Sequence, residues 1–182
     1  MFCDIDGASL ANIAEDARAL GVSAGRVRLV HGDGIPALEE ELAGLAEGEA
    51  SGTFLHVDPY RPLERGRGES PLGLFAHAAE RGVGCMLWYG FDSRDARAVV
   101  PEALRERIAG RAWYGEVCLH AEDLSEVGFD PGVLGCGVVV CNFGQKALAA
   151  CSHLGEGLAH AYASARLPTG RDGALKFEEG TF

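Results

Sequence analysis

Phe2-Cys3-Asp4-Ile5-Asp6 decides how this chain is read, together with two later runs built like it: Arg26-Val27-Arg28-Leu29-Val30 leading to His31-Gly32-Asp33-Gly34, and Thr53-Phe54-Leu55-His56-Val57 leading to Asp58-Pro59-Tyr60. Each is a short apolar strand that ends in polar residues. A segment with helical apolar spacing (Ala8, Leu10, Ala11, Ile13, Ala14, Ala17, Leu20) separates the first two. A charged helix, Pro36 through Leu45, and a Gly/Glu/Ser connection reaching Gly52 separate the second from the third. Strands that deposit polar residues at their carboxyl ends, with helices between them, are how open parallel sheets build a ligand crevice. Function is therefore expected at these three strand ends.

Working outward, Arg61 to Ser70 is rich in Gly, Arg and Glu and has no periodicity, so it reads as a mobile loop beside the crevice. A helix is expected over Pro71 to Arg81, then a buried strand at Val83-Gly84-Cys85-Met86-Leu87-Trp88-Tyr89. Asp92 or Ser93 can cap a helix carrying Ala96, Val99, Val100, Leu104 and Ile108, with Pro101 as a point of division. Strands follow at Tyr114 to Ala121 and Gly137 to Asn142, joined through Phe129-Asp130-Pro131-Gly132. A helix from Gln145 to about Ala165 and a last strand, Ala174 to Glu178, complete the pattern. The expected class is α/β: one doubly wound, mostly parallel sheet with an antiparallel edge, spanning residues 1–182 as a single domain.

Composition narrows the function classes. With 182 residues and a net charge of −11, the chain lacks the broad basic surface that duplex or structured RNA binding normally leaves. Arg61, Arg65 and Arg67 form the one clustered basic run, and such runs are more often solvated loops. The six cysteines form no C-x-x-C pair and the histidines no zinc-type spacing, so buried thiols in a reducing compartment and no metal are expected. No leader or long apolar span is seen, which predicts a cytoplasmic protein away from membranes.

The strand ends carry the candidate chemistry. A carboxylate at Asp4 suits the two hydroxyls of a ribose, and Ile5 beside it can lie against an adenine face. The competing role is helix capping by Asp4 or Asp6. Asp33 can reach an adenine amino group while Gly34 lets backbone approach the ring; Gly-Asp-Gly is also an ordinary turn. At the third end, the Asp58 carboxylate and the Pro59 carbonyl can accept hydrogen bonds from an amine, and Tyr60 can stack on a planar base. Catalysis there would be positioning and charge stabilisation. The bland alternative is an Asp-Pro turn beside a buried Tyr.

The run Phe2 to Tyr60 resembles the second, third and fourth motifs of S-adenosylmethionine-dependent methyltransferases with a Rossmann-like sheet. Within them it is most similar to the amino-methyltransferases that carry Asp-Pro-Pro-Tyr. The later strands, from Val83 to Tyr89, Glu116 to Leu119 and Leu134 to Asn142, resemble in order and spacing the bacterial family that methylates adenine N6 in large-subunit ribosomal RNA. This resemblance implies S-adenosylmethionine as cofactor, held by Asp4, Ile5, Asp33 and Gly34. It implies methyl transfer at Asp58, Pro59 and Tyr60 to an amino nitrogen of RNA or of a small-molecule amine. Two motifs differ: Asp58-Pro59-Tyr60 is one proline short, and Asn142-Phe143-Gly144-Gln145 stands for Asn-Pro-Pro-Trp. The family's first strand and its glycine loop would come before Asp4 and lie between the strands ending at Asp4 and Asp58. The chain is accordingly expected to be the C-terminal portion of a fuller domain.

Two other readings stay open. A non-catalytic methyltransferase-like module would bind a partner, or a second copy as a homodimer, through exposed strand edges. A dinucleotide-dependent oxidoreductase would share the ribose-binding acid but shows no hydride-transfer constellation.

Overall fold

The computed structural model describes residues 1–46, 48–66, 68–108, 112–127, 132–167, 169–170 and 172–182. Arg67 and the Phe129-Asp130-Pro131 turn therefore lie outside the described residues. The chain runs β1 (Phe2–Asp4), α1 (Gly7–Ala19), β2 (Leu29–His31), α2 (Gly34–Gly44), β3 (Phe54–Val57) and α3 (Pro71–Glu80). It continues through β4 (Gly84–Phe91), α4 (Arg94–Arg97), α5 (Val99–Ile108), β5 (Ala112–Leu119), β6 (Gly135–Cys141), α6 (Gln145–Ala161) and β7 (Leu175–Thr181).

The result is a mixed α/β fold with two sheets. β1 and β2 pair in parallel as a sheet of their own, and the other strands form a five-stranded sheet in the order β3-β4-β6-β5-β7. Only β3 and β4 are parallel within it; the other three pairings are antiparallel. The expectation of a mostly parallel sheet with an antiparallel edge is corrected accordingly. The reason is strand order: β6 inserts between β4 and β5, which both run opposite to it. β4 and β5 thus share a direction without touching as neighbours.

Element ends follow local chemistry. Asp6 accepts hydrogen bonds from the backbone of Ala8 and Ser9 and so caps α1; Asp33 caps α2 through Ile35. Ser70 caps α3 by accepting from Gly73 at 3.0 Å, with Pro71 at the first helical position. The helix around Pro101 is divided at Ala98, into α4 and α5, and Pro101 sits in the first turn of α5, where its missing N–H removes no helical bond.

The core lies between the five-stranded sheet and one helical layer. Leu55, Val57, Cys85, Leu87, Tyr89 and Phe91 pack against Leu72, Phe75, Ala79, Leu104 and Ile108. Strict alternation in β4 drives this, with Cys85, Leu87, Tyr89 and Phe91 buried and Met86, Trp88 and Gly90 half-buried on the other face. α6 packs on the opposite face against β5 and β7, where Gly155 lets the helix approach Phe177: a Cβ at Gly155 would lie 2.1 Å from that ring. No helix among the described residues is long and apolar enough to cross a membrane.

Candidate functional site

All seven residues singled out at the strand ends line one cleft of about 610 Å³: Asp4, Ile5, Asp33, Gly34, Asp58, Pro59 and Tyr60. β1 and β2 supply one side. The segment after β3 supplies the other, and Ile35 and Leu38 of α2 add apolar wall.

The capping question has a clear answer at the first strand end. Asp6 takes the cap of α1, and its carboxyl is held below its ordinary range first by the Ser9 hydroxyl and then by the Ala8 amide. Asp4 is spared that duty. Its Oδ1 accepts from the Asp6 amide at 2.9 Å and, among the described residues, from no other group, which leaves acceptor capacity toward the cleft. Ile5 projects freely, 79% exposed, and its carbonyl is fixed 3.0 Å from Nε2 of His31.

At the second end the structure combines two roles. Asp33 Oδ1 accepts from the Ile35 amide at 3.0 Å, so one oxygen serves the α2 cap while the residue still lines the cleft. Gly34 has a packing reason of its own, because a Cβ there would come 2.6 Å from the Cβ of Cys3. α2 therefore starts close against β1. Gly32, at φ 140°, turns the chain from β2 into α2.

At the third end Asp58 is exposed and Pro59 half-buried. The Tyr60 ring stands 93% exposed, with the Arg61 guanidinium 5.8 Å from its centroid. A buried Tyr in this turn is thus excluded. The following loop is tied down: Arg61 pairs with Glu64 at 2.7 Å, Arg65 with Glu69 at 3.4 Å, and the Glu69 amide donates to Glu39 of α2 at 2.9 Å. Two of the three arginines of the basic run are therefore matched by acids. Among the described residues no group of three His, Cys, Asp or Glu is placed to hold a metal ion.

Sequence reasoning missed a second cavity. Because Val57, the end of β3, pairs with Leu87, β4 runs on through Trp88, Tyr89, Gly90 and Phe91 with no β3 beside it. A cavity of about 320 Å³ opens there, lined by Trp88, Gly90, Phe91, Asp92, Ala96, Gly132 and Val133, and by Tyr60 and Arg61, which also line the larger cleft. Its signal in the sequence was only the unequal length of two strands. Asn142 does not join either cavity. It lies where Cys141 pairs with Cys85, at the amino end of β4, and its Nδ2 donates to the carbonyls of Ala79 and Val83 at 2.9 and 2.8 Å.

No protein-family model matches the chain, and no curated protein does. The chain is similar to a solved structure, protein LPL1258 from Legionella pneumophila str. Philadelphia 1, which carries the family designation DUF519. The TM-score is 0.59 at 15% sequence identity; the match covers 98% of this chain and 59% of that one. At that identity the likeness speaks for the fold alone, and this chain spans less than two thirds of its neighbour's length.

Proposed function

We propose that this chain carries the adenosyl-binding and acceptor-binding parts of an S-adenosylmethionine-dependent amino-methyltransferase with a Rossmann-like sheet. The observation that supports it best is the convergence of Asp4, Asp33 and Asp58, from three different strand ends, on one cleft with Ile5 and Tyr60. Strand directions agree with this reading, since β3, β4 and β5 all run one way despite the antiparallel β6 between them.

The lining fits the adenosyl half of the cofactor. Asp4, freed from capping by Asp6, offers oxygens to a ribose, and Ile5, Ile35 and Leu38 supply apolar surface for a purine. When bound, S-adenosylmethionine would supply an electrophilic methyl group for the acceptor nitrogen, with a neutral thioether as leaving group. The protein's part is positioning and proton handling. Asp58 and the Pro59 carbonyl accept the N–H bonds of the acceptor amine, which aims its lone pair, and the carboxylate holds the proton released. The acceptor is an amino nitrogen of RNA adenine or of a small-molecule amine; the pairing of Arg61 and Arg65 with acids favours the smaller acceptor.

Calorimetry with S-adenosylmethionine and S-adenosylhomocysteine tests the reading. The wild type should bind both, and Asp4→Ala should weaken both by about tenfold or more, as expected for charge-assisted hydrogen bonds. A wild type with no binding heat at millimolar cofactor would end it.

A second reading rests on one observation. β1 and β3 each present a free edge, and among the described residues no pairing joins the two sheets. Such edges accept an added strand from a partner or from a second copy. Light scattering decides: a monomer that binds S-adenosylhomocysteine would remove this alternative.

A further inference from the structure

We infer that His31 is a positioning residue for the cleft: through the Ile5–Asp6 peptide it aims the Asp4 carboxylate at a bound ribose. This rests on the methyl-transfer reading above and adds to it a residue that stands outside the cleft wall.

The two contacts involved share one peptide group. Nε2 of His31 lies 3.0 Å from the Ile5 carbonyl, and the N–H of that same peptide, the Asp6 amide, donates to Oδ1 of Asp4 at 2.9 Å. A carbonyl can only accept, so Nε2 carries a hydrogen and donates it. The order is therefore imidazole N–H to peptide carbonyl, then peptide N–H to carboxylate. Hydrogen bonds on the two sides of one peptide polarise each other, so the first strengthens the second.

The surroundings leave this task to His31. β1 and β2 are parallel strands of three residues each, and Asp4 and His31 stand opposite each other at their carboxyl ends. The Gly32 amide fixes the backbone of Asp4 by donating to its carbonyl at 2.9 Å, and Asp6 is fixed as the cap of α1. Between those two anchors the Ile5 side chain is exposed and holds nothing in place. Among the described residues His31 alone contacts the Ile5 carbonyl by hydrogen bonding, so it sets the plane of the peptide whose N–H orients Asp4. Without that contact the peptide would be free to turn and take its N–H off the carboxylate. His31 does not line the cleft, whereas Asp4 does. Its effect on a ligand must pass through Asp4.

A conservative pair of variants isolates the role. His31→Gln keeps an amide N–H at the reach of Nε2, whereas His31→Asn stops short of the Ile5 carbonyl. In calorimetry with S-adenosylhomocysteine, His31→Asn should bind about threefold to tenfold more weakly than the wild type, the worth of one hydrogen bond, and His31→Gln should recover most of that loss. In an Asp4→Ala background the same His31→Asn change should cost about twofold or less, because no carboxylate is left to aim. Both His31 variants should keep the urea midpoint of the wild type. Equal losses in the two backgrounds, a His31→Gln no better than His31→Asn, or a fall in midpoint that accounts for the lost affinity would each make His31 a staple between β1 and β2. Any of these overturns the assignment and leaves the methyl-transfer reading in place. A wild type that binds no S-adenosylhomocysteine would defeat that reading itself and the role of His31 with it.

Discussion

Two sets of carboxylates divide this molecule. Glu116 is 3% exposed and fully engaged: the Tyr89 hydroxyl donates to one of its oxygens and the Arg97 guanidinium to the other, while Arg97 also reaches Glu178 at 2.7 Å. Asp4, Asp33 and Asp58 sit around an open cleft and have acceptor positions to spare. A buried charge is tolerated only when its partners surround it, whereas the carboxylates around the cleft contribute to folding at most through one oxygen each, as Asp33 does in capping α2. The first set holds the fold; the second is available for a ligand.

That contrast is most easily broken at Glu116. Glu116→Ala leaves Arg97 without its buried partner and Tyr89 without an acceptor, so it should cost about 3–5 kcal/mol in urea unfolding, the range for breaking a buried ion pair. A loss below about 1 kcal/mol would place the network with the ordinary surface pairs.

Gly137 should give the next largest effect. It lies between Tyr89 and Glu116 in register across β4, β6 and β5, and the hydroxyl reaches the carboxylate over its bare Cα. A Cβ there would stand 2.6 Å from the Tyr89 ring and 2.8 Å from Glu116 Cγ. Gly137→Ala should therefore destabilise by about 1–3 kcal/mol, the cost of overpacking.

This network explains what was and was not legible in the sequence. Asp4, Asp33 and Asp58 could be found because each follows a short apolar run directly, a local pattern. Glu116, Tyr89 and Gly137 are brought together only by strand order, and nothing near Gly137 announces that β6 lies between β4 and β5. The same long-range fact hid the antiparallel character of the larger sheet. The cavity at Trp88 depended on register, and the choice between Asp4 and Asp6 as helix cap on a hydrogen-bond geometry that both residues satisfy on paper.

Alkaline titration sharpens the contrast on the buried side. Burial first, and then the Glu116 carboxylate, push the Tyr89 hydroxyl well above its ordinary pKa. A folded pKa raised above the unfolded one gives stability that is complete below about pH 10 and is lost as pH rises beyond it. Between pH 10 and 11 the wild type should lose about 1 kcal/mol more than Tyr89→Phe does. Parallel curves for the two proteins would show that the hydroxyl is not shielded.

The smallest stability effects belong to the cleft, and there their smallness is the point. Asp33→Ala removes the α2 cap and should cost about 1 kcal/mol, because Asp33 serves the fold with one oxygen. Asp4→Asn keeps the side chain's shape and an oxygen for the Asp6 amide, and Asp6 still caps α1, so its unfolding free energy should stay within about 0.5 kcal/mol of the wild type. Its S-adenosylhomocysteine affinity should nevertheless fall, since an amide offers a ribose one acceptor oxygen where the carboxylate offers two. Stability and binding must separate at Asp4 if the open carboxylates exist for a ligand. If Asp4→Asn instead unfolds the protein as readily as Glu116→Ala does, the division between the two sets fails, and Asp4 belongs with the groups that hold the fold.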